Sequence, residues 1–290
     1  MAWVDTVLQG LLLGGLYALF ATGLSLIFGV MRIVNLAHGD LSILAAFLAA
    51  VAVETLGLNP FVTLALVVPI MAALGYALQT AVLNRLLGRG VLPPILVTFG
   101  LSVIIQNGLL ETFSADSRRL NPGGIETASL SLGGGLAVGW FPFITLGVAV
   151  LILAALQLVI GRLSVGRAFR ATSDDQETAE LMGIDNRRLY ALAMALSLGI
   201  VAVAGVFLGI RTTFTFSSGP DRLLFAFEAV IIGGLGSLWG TLVGGAVLGV
   251  AQTVGAKLSP GWGILTGHLV FLAVLLLRPE GLFIRRRRVS

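Results

Sequence analysis

Eight apolar blocks divide the chain, at 7–31, 41–53, 61–83, 91–110, 136–160, 189–210, 223–256 and 262–277. A helix needs about 20 residues to cross a hydrocarbon core of about 30 Å, and most of the blocks match one crossing each. Three do not. The 41–53 block is too short alone and reaches span length only if 32–40 also lies at membrane depth as a broken stretch. Irregular backbone is tolerated there when it is buried in protein or lines a cavity. The 223–256 block would extend about 51 Å as one helix at about 1.5 Å per residue. Gly233, Gly234, Gly236, Ser237 and Gly240 interrupt it midway, which predicts two shorter helices meeting near 236–240. The 262–277 block is slightly short and is expected to begin at about 259–261. The pattern predicts an all-α, polytopic membrane bundle with about eight or nine membrane segments and broken helices near 32–40 and 233–240. Length argues for one membrane domain over 1–290.

Charge turns this pattern into a topology. Only 11% of residues are charged and mean hydropathy is +1.01, whereas soluble domains carry about 25% charged residues. Much of the exterior must therefore face lipid. The pI near 10.3 does not indicate nucleic acid, because all basic residues but Lys257 are Arg, set between apolar blocks or at the end. Arg85 and Arg89, then Arg162, Arg167, Arg170, Arg187 and Arg188, then Arg278 and the arginines at 285–288, are expected in the cytoplasm. Arg118, Arg119, Arg211, Arg222 and Lys257 fall outside, with Arg32 unassigned. Counting spans from these loops puts the N-terminus outside and the C-terminus inside. The uninterrupted 7–31 run, preceded by Asp5, is read as a retained span and not a cleaved leader.

Several chemistries are excluded. The chain has no cysteine and two histidines, so it offers no thiolate nucleophile, disulfide or clustered metal ligands. No phosphate-binding G-x-x-x-x-G-K-[ST] string occurs; any motor must be another chain. No cofactor is expected. Asp40 and Glu228 are scarce intramembrane carboxylates, and Glu228 either pairs with Arg222 or Arg211 near the outer face or touches cargo.

The longest cytoplasmic connection, 161–188, reads GRLSVGRAFRATSDDQETAELMGIDNRR. Ser173 and Gln176 have capping-box spacing, and Asp174, Asp175 and Glu177 fill a first turn where the macrodipole favours anions. Ala179, Leu181 and Met182 give a small apolar surface, and Gly183 suits a C′ stop. A surface helix at about 174–182 is predicted, able to serve as a socket for a cytoplasmic motor. In MRIVNLAHGDLS, Arg32, Asn35, His38 and Asp40 are polar at membrane depth, where such groups are costly and face a cavity or one another. With Gly39 and Ser42 they are candidates for a translocation pathway, as are Gly233, Gly234, Gly236 and Ser237 in the second break. If the two breaks faced one another, they would line a narrow route. Gly10, Gly14 and Gly15, and the Gly240, Gly244, Gly245, Gly249 ladder, are expected to pack helices closely.

Three stretches resemble the permease subunits of branched-chain amino acid ABC importers. They are GGLYAL at 14–19 running into NLAHGDLS at 35–42, RAFRATSDDQETAELMGID at 167–185, and AFEAVIIGGLGSLWGTLVGGAVLG at 226–249. The resemblance covers essentially the whole chain and is to the shorter permease type. It implies a multi-pass protein of the bacterial inner membrane, without catalysis of its own. Its implied partners are a second, paralogous permease, two cytoplasmic ATP-binding subunits and a periplasmic solute-binding protein. Arg167, Arg170, Asp174, Asp175, Glu177, Ala179, Leu181 and Gly183 would belong to an ATPase-coupling loop. Family members serve branched-chain amino acids, short amides and urea, and other small polar or carboxylated solutes. An ion- or proton-coupled secondary transporter using Asp40 and Glu228 is the competing reading, and it leaves the motor socket without a purpose.

Overall fold

The computed structural model of the chain describes residues 2–125, 128–133 and 136–283; the basic run at 285–288 lies outside the described residues. Eleven α-helices occur among them: α1 (Ala2–Met31), α2 (His38–Leu56), α3 (Pro60–Ala81), α4 (Leu92–Phe113), α5 (Trp140–Arg162), α6 (Ser164–Asp174), α7 (Gln176–Leu181), α8 (Asn186–Arg211), α9 (Gly219–Gly233), α10 (Leu238–Leu258) and α11 (Trp262–Leu277), with a short 3-10 helix at Leu83–Leu86 after α3. Seven of them, α1 to α5, α8 and α10, are long and apolar enough to cross a membrane, and α11 is a shorter apolar helix. The protein is a multi-pass helical membrane protein. Both predicted breaks are present: helix stops at Met31 and resumes at His38, and stops at Gly233 and resumes at Leu238. The first break is therefore shorter than the polar string suggests, because His38, Gly39 and Asp40 already form the first turn of α2.

One feature was not foreseen. An antiparallel hairpin of β1 (Ser129–Gly133) and β2 (Leu136–Gly139) pairs Leu130 with Val138. The apolar block expected to enter the membrane at 136 thus begins as strand, and helix starts only at Trp140. Ser-Leu alternation at 129–132 has period two, which suits a strand better than a helix.

The chain forms two compact units. One comprises Leu26–Pro122 and Ala154–Leu223. In it α8 is buried against α2 and α3, with small residues at the crossings: a Cβ on Gly205 would overlap the Ser42 carbonyl, and one on Gly75 would sit 2.7 Å from the Met194 carbonyl. Lipid supplies no hydrophobic drive between helices, so close backbone approach and interhelical hydrogen bonds hold them. At one end of this unit, Arg118 and Phe214 exchange two backbone hydrogen bonds of 2.9 Å, and Leu120 N–H donates to the Gly209 carbonyl at 2.8 Å. The Arg118 guanidinium grips Glu54 at 2.7 and 2.9 Å and lies 5.0 Å from the Phe113 ring centroid. The other unit comprises the chain up to Ser25, Gly123–Leu153 and the residues from Leu224 onward. There Tyr17, Phe225, Ile232 and Leu248 form a buried cluster. α1 and α10 meet glycine to glycine: a Cβ on Gly14 would lie 2.5 Å from Ala246 Cα, and one on Gly245 2.7 Å from the Gly14 carbonyl. The expected small-residue contacts are thus helix packing.

Candidate translocation and coupling site

The first break is held by side chains. Asn35 Oδ1 accepts from the Ala37 N–H at 3.0 Å, an Asx-type turn that lets the chain re-enter helix without a conventional cap. The Asn35 carbonyl accepts from His38 N–H at 3.2 Å. Across from it, α4 presents Thr98 and Ser102 one turn apart, so both point from the same face. Thr98 Oγ1 accepts from the Leu36 N–H at 3.2 Å, and Ser102 Oγ donates to Asp40 Oδ2 at 2.5 Å. Gln106, one turn further, donates to Ser102 Oγ at 3.2 Å. Ser42 Oγ donates to the Gly39 carbonyl at 2.6 Å. Asn35, His38, Asp40 and Ser42 are all buried. Asp40 Oδ1 and Asn35 Nδ2 have no hydrogen-bond partner among the described residues.

Gly39 has a packing task. A Cβ there would overlap the Gly219 carbonyl, and one on Gly219 would overlap Asp40 Oδ1. The start of α9 therefore sits directly on the first turn of α2, and Gly39 contacts backbone.

The 161–188 connection folds as two helices, not one. α6 turns back on the end of α5: Gly166 lies against the Ile160 carbonyl, Arg170 donates to that same carbonyl, and Phe169 is buried. The cap of α7 is Asp175 and not the expected Ser173, which lies inside α6. Asp175 Oδ1 accepts from Glu177 N–H at 3.0 Å and Thr178 N–H at 3.1 Å, and Oδ2 accepts from Thr178 Oγ1 at 2.7 Å. These bonds favour the ionised form, the Thr178 hydroxyl first, and hold the Asp175 carboxyl below the usual aspartate range. α7 ends as predicted at Gly183, with φ +86°. The Ile184 N–H donates to the Ala179 carbonyl and Gly183 N–H to that of Glu180, both at 3.0 Å, which is a Schellman stop.

Asn186 ties this block together. It is 1% exposed, accepts from Thr172 Oγ1 at 2.8 Å, and donates to the Gln176 carbonyl at 2.9 Å and Glu180 Oε1 at 3.1 Å. One side chain thereby joins α6, α7 and the start of α8. Ala179 faces inward, while Leu181 and Met182 are 88% and 79% exposed. An open polar cleft lined by Glu180, Gly183, Ile184, Asp185, Asn186 and Arg187 adjoins them. Arg167 and Glu177 are exposed, as is Asp174 at the end of α6.

The second break, in the other unit, is held by backbone. Leu282 N–H donates to the Ile232 carbonyl at 2.8 Å and Phe283 N–H to the Gly233 carbonyl at 3.2 Å. Acceptors freed at the end of α9 are thus met by the segment after α11. Gly234 and Gly236 have φ +99° and +79°, and Ser237 caps α10 by accepting from Gly240 N–H at 3.2 Å. Glu228 pairs with His268 Nδ1 on α11 at 2.5 Å, replacing the expected arginine partner. Residue type gave no hint of that choice, since the contact joins helices 40 positions apart. Thr98, Ser102, Gln106 and Asn186 were not singled out from sequence. The i, i+4, i+8 spacing of the first three within an apolar span was the available signal.

A family model described as the branched-chain amino acid transport system permease component matches residues 6–277. The high-affinity branched-chain amino acid transport system permease protein BraD of Pseudomonas aeruginosa is 30% identical, with 97% of this chain and 95% of BraD covered. LivH of Escherichia coli, with the same description, is 28% identical over 97% of this chain and 95% of LivH. LivM of Salmonella typhimurium, a permease protein of the same kind of system, is 26% identical over 92% of this chain and 67% of its own length. With the family model spanning nearly every helix described above, the chain belongs to the permease components of branched-chain amino acid transport systems.

Proposed function

We propose that this chain is the translocation subunit of an ATP-driven importer in a bacterial inner membrane, carrying branched-chain or related amino acids. Separate cytoplasmic ATPases drive alternating access by gripping the α6–α7 block, and a periplasmic binding protein selects the solute. The second permease is a paralogue, a reading supported by similarity to proteins named LivH and LivM alike. The N-terminus lies outside and the 161–188 connection and C-terminus lie in the cytoplasm, as the arginine distribution favours. Arg167, Arg170, Asp174, Asp175, Glu177, Ala179, Leu181 and Gly183 serve coupling. Asn35, His38, Gly39, Asp40 and Ser42, with Gly233, Gly234, Gly236 and Ser237, shape the pathway.

The observation that carries this reading is the exposed Leu181–Met182 pair on a block braced by Asn186. Two large apolar side chains held in water on a braced, sharply terminated helix suit a protein partner. Single cysteines at Leu181 and Met182 can be introduced into a chain that has none. In inside-out vesicles an impermeant maleimide should label both, and bound ATPase should protect both. Equal labelling with and without the ATPase refutes the assignment.

A further inference from the structure

Arg32 ends α1 in the left-handed region, with φ +55°, a conformation unfavourable for a residue with a Cβ. Its N–H still donates to the Phe28 carbonyl at 2.9 Å, so the helix stops there. Glycine would adopt this backbone without strain, but glycine has no side chain to extend. The Arg32 guanidinium reaches 141 positions along the chain and donates to the Ser173 carbonyl at 3.0 Å. Ser173 lies in the last turn of α6, where carbonyls lack intrahelical partners and a cation meets the negative end of the helix dipole.

Both ends of this contact lead somewhere. On the Arg32 side the chain passes directly into the break and the first turn of α2, where Leu36 and Asp40 are held by Thr98 and Ser102. On the Ser173 side, Asp175 follows two residues later and caps α7, and Asn186 binds α6 and α7 into one block. We propose that Arg32 is a positioning residue, a strut that carries displacement of the α6–α7 block to the broken helix. This rests on the proposed role of that block as the ATPase socket. A residue that merely stopped α1 would be replaceable by glycine, whereas a strut would not.

The test compares Arg32→Gly, Arg32→Ala and Arg32→Lys in the whole importer, reconstituted in proteoliposomes with its ATPases, partner permease and binding protein. Uptake and ATP hydrolysis are measured together, with a thermal melt of each variant. Arg32→Gly relieves the backbone strain and loses the strut, so it should melt no lower than wild type. Its solute moved per ATP should nonetheless fall about tenfold, within the usual range of site-to-site coupling. Arg32→Ala should show the same loss with a lower melt, because it keeps the strain. Arg32→Lys keeps a cation and should retain most of the ratio. An unchanged transport-to-hydrolysis ratio in Arg32→Gly overturns the proposal. If that variant inserts poorly, the Arg32→Lys ratio decides, and a full tenfold loss there overturns it too. Maleimide protection at Leu181 and Met182 in the wild-type chain is scored separately, so failure of the socket and failure of the strut are distinguishable.

Discussion

Replacing Asn186 by alanine removes three hydrogen bonds from the braced block, but they do not count equally. The Gln176 carbonyl and the Glu180 carboxylate belong to exposed residues, so water replaces Asn186 at little cost. Thr172 is 3% exposed, so its hydroxyl loses its acceptor, which costs about 1–3 kcal/mol. With the lost packing, Asn186→Ala should loosen the block by about 2–3 kcal/mol. Asn186→Asp preserves the shape and the Thr172 bond, yet turns two donors into a carboxylate facing Glu180 Oε1. Two charges about 4 Å apart near a protein surface repel by up to about 4 kcal/mol. The aspartate should therefore be at least as damaging as alanine. Trypsin applied to the face that carries the block reads the effect directly, because Arg167, Arg187 and Arg188 lie in or beside it. Both variants should be cut there many times faster than wild type while the spans remain protected. Unchanged cleavage in both, or alanine clearly worse than aspartate, refutes the idea that Asn186 braces the block.

Gly39→Ala should lower the yield of folded protein in the membrane, because the new Cβ would meet the Gly219 carbonyl and forcing the helices apart costs about 1–3 kcal/mol; a normal melt would show that α2 and the start of α9 do not pack as described. Asp175→Ala should weaken α7, and Asp175→Asn should weaken it less because an amide oxygen still accepts both backbone N–H groups; equal tryptic cleavage across wild type and both variants would remove Asp175 as the cap. Because the Asp175 carboxyl is depressed, its contribution is complete above the ordinary aspartate range and fades only as pH falls through its lower folded value. Cleavage of the wild-type block, normalised at each pH to trypsin's rate on an unstructured peptide, should thus be flat from about pH 8 to about pH 5, and a change of that ratio within the window would contradict the cap geometry. A cysteine at exposed Asp116 should be labelled by an impermeant reagent from outside and one at Arg187 should not; the reverse would invert the topology.

Both breaks were legible because each violates a length rule: one apolar block is too short to cross and another too long. Glycine placement then located the second turn, with Gly234 and Gly236 at positive φ. The α6–α7 block was only half legible. Its stop at Gly183 follows from local chemistry, but its cap was misplaced by two residues. Ser173-x-x-Gln176 and the Asp175 side chain compete for the same first turn, and Asp175 prevails because α6 holds Ser173 in helix. What stabilises α6 is contact with α5 at Ile160 and burial of Phe169, and no local pattern reports those. The Glu228–His268 pair was illegible for the same reason: its partner is set by how α9 and α11 pack.

The two breaks differ in what would have to be undone to rearrange them. At the second, acceptors freed at the end of α9 are taken by backbone N–H groups of Leu282 and Phe283. A Cβ on Gly233 would overlap the Gly240 carbonyl, so no looser packing of that turn is available without separating backbones. At the first, α4 is reached through the hydroxyls of Thr98 and Ser102, one to a backbone N–H and one to a carboxylate. Hydroxyls rotate and can change partners, and Asp40 Oδ1 and Asn35 Nδ2 are buried with no hydrogen-bond partner among the described residues. A buried polar atom without a partner costs about 1–3 kcal/mol, so a shift that supplied a partner to either atom would be favoured. On the importer reading, this makes the Arg32–Asp40 end the pliable one. It is also the end that the Arg32 guanidinium links to the braced block, at the Ser173 carbonyl.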